Sequence, residues 1–137
     1  MNKLLLKIVS PDGEIFSGEA KSILVTTVNG EVQIFAGHAD LIAPLATGRA
    51  KLTLTDGTSR TASASGGFIL VSSNETKVVA TTFEFADEID VKRAELAKQK
   101  ADEALKNAKE AKEIEIAKAK LIRAISRINV ALERQKA

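Results

Sequence analysis

Past Phe85 the chain contains neither glycine nor proline, and Ala, Lys and Glu dominate to the C-terminus, whereas both chain-breaking residues recur throughout the part before it. So abrupt a change cannot belong to one uniform architecture. Ala, Lys and Glu lose little on entering a helix, while turn residues at short intervals punctuate strands. The sequence therefore predicts a β domain over residues 1–86 and a helical segment over residues 87–137.

Alternation carries the strand assignments in the first part. Leu4, Leu6 and Ile8 alternate with Leu5 and Lys7 until Ser10-Pro11-Asp12-Gly13 breaks the run. Ile23, Val25 and Thr27 behave likewise before Asn29-Gly30. Ala50, Leu52 and Leu54 alternate with Lys51, Thr53 and Thr55, the pattern of a sheet with one wet face. Asp56-Gly57 then predicts a type I′ hairpin turn into a strand over residues 58–64. Further strands are expected over 68–72 and 77–82, split by Ser73-Asn74-Glu75. Many short strands at this spacing indicate a sandwich or barrel.

In the second part Asp87 is the expected N-cap, and Asp87, Glu88 and Asp90 together suit the positive end of a helix dipole. One thin apolar stripe runs through Ile89, Leu96, Ala97, Ala101, Ala104, Leu105 and Ala108. A second runs through Ile114, Leu121, Ile125, Ile128 and Leu132 at spacings of 7, 4, 3 and 4. A single helix of this length would be unusual, so a reversal is placed near residues 107–111, giving an antiparallel two-helix hairpin. Seamed largely by alanine and lacking a hard break, such a hairpin can open at modest cost.

Composition narrows the function classes. The 137 residues, 45% of them apolar, suit one small domain with an appendage, and no window has the long uncharged apolar run of a membrane span. Lys7 cuts the N-terminal apolar stretch too short for a signal peptide, which favours the cytosol. Residues 1–86 carry 7 Lys/Arg against 8 Asp/Glu, a net −1, and residues 87–137 carry 13 against 10, a net +3. That asymmetry permits contact with an acidic surface but falls short of a nucleic-acid footprint, and the five aromatics are all Phe outside any basic cluster. With one histidine and no cysteine there is no nucleophilic triad and no ligand spacing for a metal. His38 lies in the turn Ala36-Gly37-His38-Ala39-Asp40, and Ser65-Gly66-Gly67 lacks the lysine and the following helix of a phosphate loop. No catalytic residue is assigned. What remains is a basic stripe on the last helix, Arg123 and Arg127 one turn apart with Lys120 and Arg134 near the same face, and a charged helix start at Ile89-Asp90-Val91-Lys92-Arg93-Ala94.

Taken together, these segments resemble the epsilon subunit of bacterial F-type ATP synthases over almost the whole chain. Gly30-Glu31-Val32-Gln33-Ile34-Phe35-Ala36-Gly37-His38-Ala39-Asp40-Leu41 is similar to that family's Gly-Glu-x-Gly-Ile-x-x-Gly-His-Ala-x-Leu segment, with Gln33 replacing a glycine and Asp40 a frequent proline. Ile89-Asp90-x-x-Arg93-Ala94 resembles a motif of its ATP-binding members, and Arg-Ala-x-x-Arg-x-Asn-Val-Ala over residues 123–131 resembles its closing helix.

The resemblance implies a β-sandwich followed by a two-helix hairpin, in a non-catalytic central-stalk subunit at the cytoplasmic face of the bacterial plasma membrane. The implied partners are the gamma subunit, the c-ring and the catalytic alpha and beta subunits, with no nucleic acid and only indirect membrane contact. The loop containing Glu31 and His38 is expected near the gamma subunit and c-ring. The hairpin is expected to permit turnover when folded and to block ATP hydrolysis when extended, its basic residues Lys118, Lys120, Arg123, Arg127 and Arg134 meeting an acidic region of the catalytic subunits. No cofactor is required. ATP is implied as a regulatory ligand, with Glu84, Asp90, Arg93, Ala94, Lys100, Arg123 and Arg127 as its matched positions, Lys100 standing where arginine is common. A competing reading, a chaperone-like β platform with a coiled-coil hairpin, calls for large apolar residues at the hairpin tip, whereas residues 106–116 are mostly charge and alanine.

Overall fold

The computed structural model describes residues 3–136, with side chains as far as Glu133. Ten strands come first: β1 (Leu4–Ser10), β2 (Gly13–Ala20), β3 (Ser22–Thr27), β4 (Gly30–Phe35), β5 (Leu41–Pro44), β6 (Gly48–Thr53), β7 (Ser59–Ser65), β8 (Phe68–Val71), β9 (Thr76–Val79) and β10 (Thr82–Phe85). A single 3-10 turn, Ala86–Glu88, leads to two helices, α1 (Val91–Asn107) and α2 (Ala111–Lys136).

The strands form two five-stranded sheets, ordered β2-β1-β9-β8-β5 and β10-β7-β6-β3-β4. Only β1 and β9 pair in parallel; every other strand pairing is antiparallel. Period-two side-chain direction explains the core. Leu4, Leu6 and Ile8 of β1 are buried, while Leu5 between them is 53% exposed. Ile23, Val25, Ile34, Leu52, Ile69 and Val78 meet them from the other strands, and each is at most 2% exposed. The fold is thus a β-sandwich followed by two helices, as the alternation and the change at Phe85 predict.

Two local expectations fail for physical reasons. The Asp56-Gly57 hairpin is not type I′, because among the described residues no non-glycine residue has positive φ. Instead the Gly57 N–H donates to the Leu54 carbonyl at 3.0 Å, and the Asp56 carboxylate accepts from both the N–H and the hydroxyl of Thr58, at 2.9 and 2.7 Å. Those bonds hold the Asp56 carboxyl below its ordinary pKa. The side-chain turn replaces the backbone conformation that the dipeptide alone favours. The N-cap of α1 is Asp90, whose carboxylate accepts from the Arg93 N–H at 3.1 Å; Asp87 lies in the 3-10 turn and pairs with Arg60 at 2.9 Å.

The hairpin packs through its second helix. α2 crosses the outer face of the second sheet over β7 and β6, and α1 packs on α2. Its seam is alanine: Ala94 and Ala101 of α1, with Ala117, Ala124 and Ala131 of α2, are at most 4% exposed. Of the larger apolar residues read as stripe members, Leu96, Ile125 and Leu132 are 57%, 37% and 43% exposed, while Ile89, Leu105, Ile114, Leu121 and Ile128 are only half-buried. The heptad of small residues, which lets two backbones approach closely, overrides the stripe of large ones. No helix of the described chain is long and apolar enough to cross a membrane.

Candidate functional site

The region where α2 meets the second sheet brings together polar side chains from distant parts of the chain. Ser63 lies on the outward side of β7, because its neighbours Ala62 and Ala64 fill the core. Its hydroxyl lies 2.7 Å from that of Ser126 on α2. One position along the helix, the Arg127 Nε donates to the Glu84 Oε1 on β10 at 2.8 Å. This pair is partly sheltered, the Arg127 and Glu84 side chains being 26% and 34% exposed. Two helical turns after Ser126, Glu133 accepts from the Arg49 Nη1 of β6 at 3.3 Å. Ser126, Val130 and Glu133 at spacings of 4 and 3 define the docking face of α2.

Arg123 and Arg127 divide two neighbouring cavities. One, of about 320 Å³, lies between the sandwich and α2 and is lined by Ser63, Ser65, Thr82, Phe83 and Glu84 on the sheet side. The other, of about 450 Å³, lies over the hairpin seam and is lined by Lys100, Lys120 and the alanines at 97, 101, 104 and 124. Four cationic side chains therefore line the second cavity, whose floor is alanine. Such a surface offers charge-assisted donors to an anion and flat apolar area to an aromatic ring. Among the described residues, no group of three or more His, Cys, Asp or Glu is placed to hold a metal ion.

The residues singled out in the sequence separate into groups. Glu84, Lys100, Arg123 and Arg127 are brought together around the two cavities. Asp90, Arg93 and Ala94 line neither: Asp90 caps α1, Arg93 is exposed, and Ala94 is sealed in the helix seam. Of the basic stripe, Lys120 joins the second cavity, but Lys118 is exposed and lines neither. The side chain of Arg134 lies outside the described residues.

Glu31 and His38 do not share one loop. Glu31 opens β4 and His38 follows its other end, where the ring Nδ1 lies 2.6 Å from the Ala39 carbonyl. Arg49 grips Glu31, Nε to Oε2 at 2.6 Å and Nη2 to Oε1 at 3.2 Å, and these bonds hold the Glu31 carboxyl below its ordinary value. Sequence reading missed Ser63, Ser126, Thr82 and Arg49. Single polar residues on the wet face of a strand or helix carry no signal of what will cover them.

Two family models divide the chain at the observed junction: the β-sandwich domain of the ATP synthase delta/epsilon chain matches residues 3–86, and its long α-helix domain matches residues 87–131. The chain belongs to the ATP synthase delta/epsilon chain family. Among curated members, the ATP synthase epsilon chain of Bacillus pumilus is 35% identical over 131 residues, covering 96% of this chain and 98% of that one. The epsilon chain of Staphylococcus saprophyticus is 39% identical over 132 residues, with the same coverage of 96% and 98%. The same fold is seen in a chain of the Euglena gracilis mitochondrial ATP synthase, with a TM-score of 0.78 at 20% identity, covering 98% of this chain and 82% of that one. A chain from the central stalk and c-ring of the Tetrahymena thermophila mitochondrial ATP synthase matches with a TM-score of 0.68 at 16% identity, covering 94% and 96%.

Proposed function

We propose that the chain is a non-catalytic central-stalk subunit of an F-type ATP synthase, joined to the membrane only through that complex. In this reading residues 1–86 anchor it to the gamma subunit and c-ring, while residues 87–137 act as a movable brake on ATP hydrolysis. The observation that carries the brake is how α2 is docked. It meets the sandwich through a hydroxyl pair and ion pairs, Ser63–Ser126, Glu84–Arg127 and Arg49–Glu133, rather than through a large apolar core. Exposed or partly exposed ion pairs stabilise by about 1 kcal/mol or less each. A contact of that kind releases readily, and Ile122, Ile125 and Leu132 remain exposed along α2 beside its docked face for a second resting place.

Docked and extended hairpins compete for the same cations. Arg127 faces Glu84 when docked, so it reaches an acidic partner surface only after α2 lifts. ATP held by Lys100, Arg123 and Arg127 would favour the docked form by its differential affinity for that form alone. Glu84 competes for the Arg127 guanidinium, which keeps such binding weak.

Removing residues 87–137 from the subunit in the assembled enzyme should raise ATP hydrolysis while leaving assembly intact. Unchanged hydrolysis would remove the brake and leave only the anchoring role. For the ligand, titrating the full chain with ATP should shift backbone NMR signals around residues 84, 100, 123 and 127. No shift at millimolar ATP rules the ligand out.

A further inference from the structure

We propose that Arg49 is a clamp for the C-terminal part of α2, and that Glu31 is the residue that positions it. Arg49 and Glu31 belong to strands that are not neighbours, since β3 lies between β6 and β4. The side chain crosses β3 above Thr26, which pairs with Glu31 across the strands and donates its hydroxyl to the Arg49 carbonyl at 2.9 Å. Glu31 occupies Nε and Nη2 in a two-pronged contact, which fixes the plane of the guanidinium. Nη1 is left aimed at α2, where it meets Glu133 at 3.3 Å.

The division of donors explains why three exposed residues act together. A free arginine loses considerable side-chain entropy on forming one exposed contact, which cancels most of its benefit. Here Glu31 has already ordered the side chain, so docking Glu133 costs only its own freedom. The side chains of Arg49, Glu31 and Glu133 are 37%, 43% and 51% exposed, so the clamp is modest and sensitive to salt. It links the start of β4 to the position of the hairpin. This deepens the reading of the hairpin as a movable element, but its test concerns docking in the free chain and is separate from inhibition.

The chain has no cysteine, so Ser63→Cys places a lone thiol beneath α2, at a position 6% exposed. Its alkylation by iodoacetamide under native conditions measures how often α2 lifts. In that background Arg49→Gln and Glu133→Gln should each raise the rate about two- to fivefold, the effect of losing one exposed pair. The double variant should be no faster than either single one, because both remove the same contact. Multiplying effects, or no effect, would overturn the clamp. Adding Glu31→Gln should abolish the coupling between positions 49 and 133; coupling that survives would overturn the positioning role of Glu31. Circular dichroism and thermal melting of each variant confirm that the sandwich itself is intact.

Discussion

Gly67 and Gly57 both sit at positive φ, +86° and +91°, yet they are constrained to different degrees. A Cβ on Gly67 would lie 1.8 Å from the Val79 carbonyl oxygen, whereas one on Gly57 would meet nothing within 4 Å. Gly66-Gly67 carries the chain from β7 in one sheet to β8 in the other, and the Gly67 carbonyl accepts from the Leu45 N–H at 2.9 Å. The pair that reads in sequence as an incomplete phosphate loop is therefore a crossing point between layers. Gly57→Ala should cost about 1–2 kcal/mol, the backbone penalty alone. Gly67→Ala adds a clash with backbone, at about 1–3 kcal/mol or more for overpacking. Urea unfolding of both variants checks this; equal midpoints would mean that the close approach is relieved elsewhere.

Among the elements, α2 shows how one helix divides its surface between two neighbours and solvent. Ser126, Val130 and Glu133 face the sandwich, Ala117, Ala124 and Ala131 form the buried seam, and Ile122, Ile125 and Leu132 are exposed, the first two at the rim of the contact with β6. Each set recurs at three-, four- or seven-residue spacing, as 3.6 residues per turn requires. The alanine set keeps the helices close, so Ala124→Leu should destabilise the docked hairpin by about 1–3 kcal/mol through overpacking. Amide exchange should then rise across α1 and α2 while the sandwich strands keep their protection. Exchange that rises equally in the strands would show that the hairpin and sandwich unfold as one unit.

The molecule as a whole combines a densely buried sandwich with a lightly held arm, joined by a short pinned segment. Phe85 is buried at that junction under the Arg60 guanidinium, 3.7 Å from its ring centre, and Arg60 also pairs with Asp87. The junction is anchored on the sheet, while beyond it α1 packs on α2 through alanine and α2 meets the sheet largely through polar contacts. In this arrangement Ile122, at 52% exposure, contributes little to the free chain. Ile122→Gln should therefore change its stability by no more than about 0.5 kcal/mol. In the assembled enzyme the same variant should weaken inhibition of hydrolysis, because the extended arm would lay this face on a partner. Wild-type inhibition would place the working surface of α2 elsewhere.

The division at Phe85, the alternating core of β1, β3 and β6, and the existence of a helical hairpin follow from residue order, because periodicity and propensity are local properties. The helix reversal falls at residues 108–110, within the span where the pattern places it, although neither glycine nor proline marks it. Other features depend on distant parts of the chain. The alanine seam is legible in the sequence, but Leu96 and Leu132 stay exposed beside it because close helix approach rewards small side chains, which a scale of hydrophobicity does not register. Ser63 acquired its partner 63 residues away, and Arg49 lies 84 residues from Glu133. Likewise Glu84, Lys100, Arg123 and Arg127 come together only once the hairpin lies back across the sheet. Local pattern dictates which strands and helices form, and their packing decides which side chains meet.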